Sequence, residues 1–162
     1  MAKKKTIRTI PQQRTPMREQ NPQERAKNFA EVACGYRLED ALKESERCLM
    51  CPEQPCVAGC PVGINIPAFI QKIADKDYRA AYDVIAETNL LPAICGRVCP
   101  QENQCEGVCT VGESLEPVAI GRLERFVGDT AIAEGWVNIP YIEHRSEEHT
   151  SELQSRLHLV CR

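Results

Sequence analysis

Eight cysteines stand in two runs that repeat one another: Cys48, Cys51, Cys56 and Cys60, then Cys95, Cys99, Cys105 and Cys109. The first run reads Cys-x₂-Cys-x₄-Cys-x₃-Cys-Pro-Val-Gly and the second Cys-x₃-Cys-Pro-x₄-Cys-x₃-Cys-Thr-Val-Gly, so both close on the same Cys-x₃-Cys-x-Val-Gly phrase. A doubled array of thiolates is what two cubane iron–sulfur clusters require, each needing about four ligands gathered in space. The chemistry implied is one-electron transfer.

Disulfides and zinc are the competing uses of so many thiols. A secreted, disulfide-rich chain begins with a charged segment followed by an apolar stretch of about 7–15 residues. Met1 to Gln20 is polar and basic instead, and no stretch approaches the roughly 18 apolar residues of a membrane span. The expectation is a soluble, cytoplasmic protein in a reducing compartment, where thiols hold metals. Cys₄ zinc sites usually pair two short knuckles of similar form. A Cys-x₂-Cys run closed by Cys-x₃-Cys-Pro instead follows the ferredoxin habit, in which the last cysteine of a run ligates the other cluster. Iron–sulfur clusters are therefore the reading preferred to zinc.

The thiols must be positioned by helices. Residues 1–27 hold eight Lys and Arg against two Glu, a net of +6 that leaves −9 for the remainder of a chain at −3 overall. This basic arm lacks interleaved aromatics, so it reads as a solvated or partner-docking segment and no nucleic acid is expected. From Asn21 the pattern turns helical: Pro22 suits a first turn, and Phe29, Val32, Ala33 and Tyr36 recur at the spacing of one buried helix face. Cys34 would lie on that helix as a small buried hydrophobe. Leu38 to Arg47 continues as a short helix leading to Cys48. Pro67 opens a helix bearing Phe69, Ile70 and Ile73, and Asp77 caps another bearing Tyr78, Ala81, Tyr82 and Ile85. Period-2 strand patterns are missing, and Gly and Pro cluster around the cysteines, where backbone must bend about an inorganic core. The fold expected is all-α, with loops wrapped on two clusters.

The residues Arg14-Thr-Pro-Met17, Glu19-Gln-Asn-Pro22, Asn28-Phe-Ala-Glu-Val32, Gly35-Tyr36, Arg47-Cys-Leu-Met-Cys-Pro52, Cys60-Pro-Val-Gly-Ile-Asn-Ile66, Ile94-Cys-Gly-Arg-Val-Cys-Pro-Gln-Glu102 and Ile120-Gly-Arg-Leu-Glu-Arg-Phe126 resemble the N-terminal domain of NADPH-dependent glutamate synthase small subunits. The same α-helical ferredoxin domain opens dihydropyrimidine dehydrogenase. The resemblance covers about residues 10–142 and divides the chain into an arm (1–27), a two-cluster domain (28–142) and a tail (143–162). By resemblance, Cys48, Cys51 and Cys56 hold one [4Fe–4S] cluster with Cys109, while Cys60, Cys99 and Cys105 hold a second. Internal symmetry nominates Cys95 as the eighth ligand. The resemblance nominates Glu124, at a position where dihydropyrimidine dehydrogenase uses a glutamine. Periodicity leans the same way, since Glu124 sits four after Ile120 and three before Val127, on or near an apolar face where a lone charge is costly.

The resemblance also implies partners. Electrons would pass from NADPH to FAD, through these clusters, and on to FMN of a large glutamate synthase subunit, or to another flavoprotein subunit, in glutamate biosynthesis. The FAD and NADPH domains would follow, yet from His144 the text resembles translated adapter sequence and carries no Gly-rich dinucleotide loop. The tail is expected to be non-native and disordered. His144, His149 and His158 all lie in or at it, as does Cys161, so no histidine site or catalytic residue is expected elsewhere.

Overall fold

A computed structural model describes residues 10–136. Seven α-helices follow in order: α1 Pro22–Arg25, α2 Leu38–Ser45, α3 Pro55–Ala58, α4 Ile66–Ala74, α5 Tyr78–Ala86, α6 Pro92–Val98 and α7 Ile120–Ala133, with 3₁₀ turns at Gln101–Asn103 and Thr110–Glu113. Among the described residues the nearest thing to a sheet is an isolated antiparallel bridge between Glu19 and Ala33. The all-α expectation holds.

The helices start where local chemistry dictates. Asn65 accepts a hydrogen bond from the Ala68 amide (3.3 Å) and Asp77 one from the Ala80 amide (3.0 Å), so α4 and α5 both begin on side-chain caps. Phe69, Ile70 and Ile73 on α4, Ala81 and Ile85 on α5, and Ile120, Leu123 and Val127 on α7 are all buried in one core. Helix α4 packs on α5, α5 on α7, and α2 on both α4 and α7.

The tightest pairing joins α6 to α7. A Cβ on Gly96 would stand 2.7 Å from Cα of Arg125, and one on Gly128 would overlap the backbone of Ala93. Two glycines thus let the helices meet backbone to backbone, and the register of the contacts, 96 with 125 and 93 with 128, makes them antiparallel.

Residues 28–36 correct the sequence reading. They form no helix: Phe29 and Cys34 are exposed, and Val32 is about a third so, at 37%. Asn28 accepts from the Ala30 amide and donates to the Glu24 carbonyl, a side-chain turn that ends α1. The chain then runs extended beside the arm, with Gln20 N–H bonded to Val32 O and Cys34 N–H to Arg18 O, each at 2.8 Å. Gly35, at φ 73°, turns it toward α2. Ionic ties hold this segment to the bundle: Glu31 bonds Arg97 and Arg125, and both arginines bond Asp129. The Arg97 hydrogen bond is the main cause that lowers the Glu31 carboxyl.

The arm is anchored too. Thr15 N–H donates to Glu44 Oε2 (2.6 Å), Arg14 pairs with Glu106 (3.0 Å), and Glu116 N–H reaches Gln12 O (3.1 Å). Under it lies a fully buried ion pair, Arg47 to Glu44 at 2.7 Å with 1% and 0% side-chain exposure. Arg47 also donates to the carbonyls of Pro11, Glu116 and Pro117, and Glu44 accepts from the Ala119 amide. Every buried polar side chain among the described residues has a partner, which is how a desolvated charge pair is tolerated. Residues 137–162, with the tail reading, lie outside the described residues.

Candidate metal centres

The two cysteine runs cross over in space. Cys48, Cys51, Cys56 and Cys109 line one cavity, closed by Ile66, Pro67 and Ile70 of α4 and by Val111, Val118 and Ile120. The loop that carries the first three is held in unusual backbone, with Met50 at φ 50° and Gln54 at φ 45°. A left-handed non-glycine residue costs about 1–2 kcal/mol, and two of them flanking Cys51 wrap the loop around the cavity. Burial is the first cause that raises the Cys48 thiol, with the Cys109 and Cys51 charges adding to it and the Met50 amide opposing. Cys56 is pushed up to about 11 by burial and then by Cys48 and Cys109. The last cysteine of the second run therefore faces the first three of the first run.

The second site forms where α6 meets α7. Burial, then the neighbouring Cys95 and Glu124, push Cys99 up to about 11, with Cys60 adding to the rise. Cys105, the most buried of the thiols at 7% exposure, is pushed up to about 12 by burial, then by Glu106, Cys60 and Glu124. Cys60, the last of the first run, thus lies near enough to Cys99 and Cys105 of the second for its charge to raise both. Glu124 sits on α7 at 6% exposure. Burial pushes its carboxyl up to about 7, opposed by a hydrogen bond from Asn89 Nδ2 to Oε1 at 2.7 Å. Cys95 also borders this site: its thiol is hydrogen-bonded with Cys99 and lies 3.6 Å from the Asn89 carbonyl oxygen, which also accepts from the Leu91 amide at 2.9 Å.

This donor set fits iron–sulfur clusters. Thiols crowded in apolar surroundings repel one another once ionised, and a cationic iron core removes that penalty. A [4Fe–4S] core takes one thiolate at each iron, and four thiols converging from two runs are the donors it would need.

Three polar neighbours of the cysteines escaped the sequence reading. Asn89 links Cys95 to Glu124. Glu106, buried beside Cys105, accepts from Arg14 and from the Gly121 amide. Thr110 lies 3.4 Å from the Cys51 sulfur. One signal was present: the repeated phrase reads Cys-Pro-Val-Gly once and Cys-Thr-Val-Gly the second time.

Residues 25–136 match the family described as dihydropyrimidine dehydrogenase domain II, 4Fe-4S cluster. The chain belongs to this family. It is 42% identical over 112 residues to the glutamate synthase [NADPH] small chain of Halomonas elongata, covering 69% of this chain and 24% of the relative. The putative oxidoreductase UacF of Escherichia coli is 40% identical over 127 residues, 77% of this chain and 20% of the relative. The NAD-dependent dihydropyrimidine dehydrogenase subunit PreT of the same organism is 43% identical over 89 residues, 55% of this chain and 22% of the relative. The chain spans about a quarter or less of the length of these relatives. Among the described residues no helix is long and apolar enough to cross a membrane.

Proposed function

We propose that this domain holds two [4Fe–4S] clusters and relays single electrons within a flavin-dependent oxidoreductase of the kind named NADPH-dependent glutamate synthase. Cys48, Cys51, Cys56 and Cys109 would bind the first cluster; Cys60, Cys99, Cys105 and Glu124 the second. The observation that carries the reading is the crossing of the two runs, which brings Cys109 to the first site and Cys60 to the second. The clusters would supply one-electron acceptance with little rearrangement, converting the two-electron output of a flavin into single steps. The chain's own contribution is to keep the sites dry, to aim amides of the cysteine loops at the sulfurs, and to fix the spacing through the core of α4, α5 and α7.

In the fuller form of the proposal, electrons come from NADPH by way of FAD in chain beyond this domain and leave toward FMN on a large subunit that makes glutamate. The whole works in a reducing, cytoplasmic compartment. Asn89 supports Glu124 over Cys95 as the eighth ligand. It occupies one carboxylate oxygen, leaves the other free, and engages the Cys95 thiol itself.

Anaerobic reconstitution tests both parts. The loaded chain should bind roughly eight iron and eight sulfide; stoichiometric zinc without labile sulfide would reject the reading. Glu124→Ala should disturb only the second EPR signal or reduce iron toward about half, with Cys95→Ser leaving both clusters assembled. The reverse pattern would restore Cys95 as the ligand.

A further inference from the structure

The two runs are near copies, yet the residue after the last cysteine differs: Pro61 follows Cys60, and Thr110 follows Cys109. Thr110 opens the 3₁₀ turn Thr110–Glu113, half-buried, with its Oγ1 3.4 Å from Sγ of Cys51. These two residues are 59 positions apart, so the contact is tertiary and ties one run to the other. In the metal-free thiol the S–H donates to the hydroxyl. A thiolate on iron has no proton to give, so along this contact only the hydroxyl can donate.

We propose that Thr110 is a positioning residue that sets the reduction potential of the first cluster by donating its hydroxyl to the Cys51 sulfur. This rests on the two-cluster reading above. Reduction adds one electron to the cluster and leaves its charge more negative; no bond forms or breaks and no proton moves. A donor on a ligand sulfur stabilises that added negative charge and raises the potential. Pro61, at the matching place in the first run, has neither hydroxyl nor N–H to offer. The near-duplicate runs thus differ in their means of tuning. The first site has a hydroxyl on a ligand sulfur, whereas the second has the Glu124 carboxylate with its Asn89 donor.

The test is a dithionite redox titration of the reconstituted full chain followed by EPR, with the first cluster's signal assigned as the one altered in Cys56→Ser. Iron and sulfide content is measured first on the unmodified chain, so that failure to assemble two clusters counts against the proposed function and not against Thr110. Thr110→Val, equal in shape but without the hydroxyl, should move the first midpoint to more negative potential, with iron content and the second midpoint unchanged. Thr110→Ser, which keeps the donor, should stay near the unmodified value. An unmoved midpoint in a fully loaded Thr110→Val chain overturns the proposal, as does a serine variant that shifts as far as valine. Should Thr110→Val fail to load, Thr110→Ala is titrated in its place; failure of both to load overturns the proposal in favour of a purely structural threonine.

Discussion

The first site is backed by isoleucines and proline and rests on the buried Arg47–Glu44 pair, whereas the second site is threaded with carboxylates and an amide: Glu124, Glu106 and Asn89. Nearly the same cysteine phrase therefore sits in two different dielectric surroundings. Thiolate spacing selects the kind of metal core, but the groups around the thiolates decide how much charge the core tolerates. On the two-cluster proposal, two copies of one motif would become two different stations through residues outside the motif.

The strongest way to break the contrast is Arg47→Ala. It leaves Glu44 buried without its cation and removes donors to three carbonyls, so a loss of about 3–5 kcal/mol is expected. Chemical denaturation of the loaded protein checks this, and iron should be lost from the first cluster before the second. Gly128→Ala strikes the other site, because the new methyl would overlap the backbone of Ala93 at the start of α6. Forced separation of α6 and α7 should cost about 1–3 kcal/mol and distort the Cys99 side, seen as a broadened second EPR signal with the first unchanged. Cys34→Ser provides the baseline. An exposed thiol bonded only to the Val32 carbonyl should change stability by less than about 0.5 kcal/mol and iron content not at all. A marked effect at either cluster would assign Cys34 a part in the metal chemistry that its position denies.

Legibility in the sequence tracked the distance over which each interaction acts. The helices α4 and α5, with Pro67 in the first turn of one and the Asp77 cap of the other, follow from residues within one turn of each other; the Asn65 cap of α4 is seen only in the structure. Spacing alone grouped the thiols into runs. The segment 28–36 misled because Phe29, Val32, Ala33 and Tyr36 keep a helical period, while the decisive forces are the Asn28 turn, the strand-like pairing with 18–20 and the ties to Arg97 and Arg125. Those partners of Glu31 lie on helices far along the chain. The same applies at the sites: Asn89 meets Glu124 across 35 positions and Thr110 meets Cys51 across 59. Burial of Glu124 was readable from the α7 stripe; its amide partner was not.

Arg47 has one more implication, for the order in which the molecule assembles. Its carbonyl partners at Glu116 and Pro117 lie 69 and 70 positions downstream, beyond the last cysteine of the second run. During synthesis the support under Cys48 cannot close until that stretch has left the ribosome. Closing so long a loop is entropically unfavourable and is offset only when the distant contacts form together, which slows chains rich in such contacts. The buried support beside the first run is therefore completed only after the second run has been made.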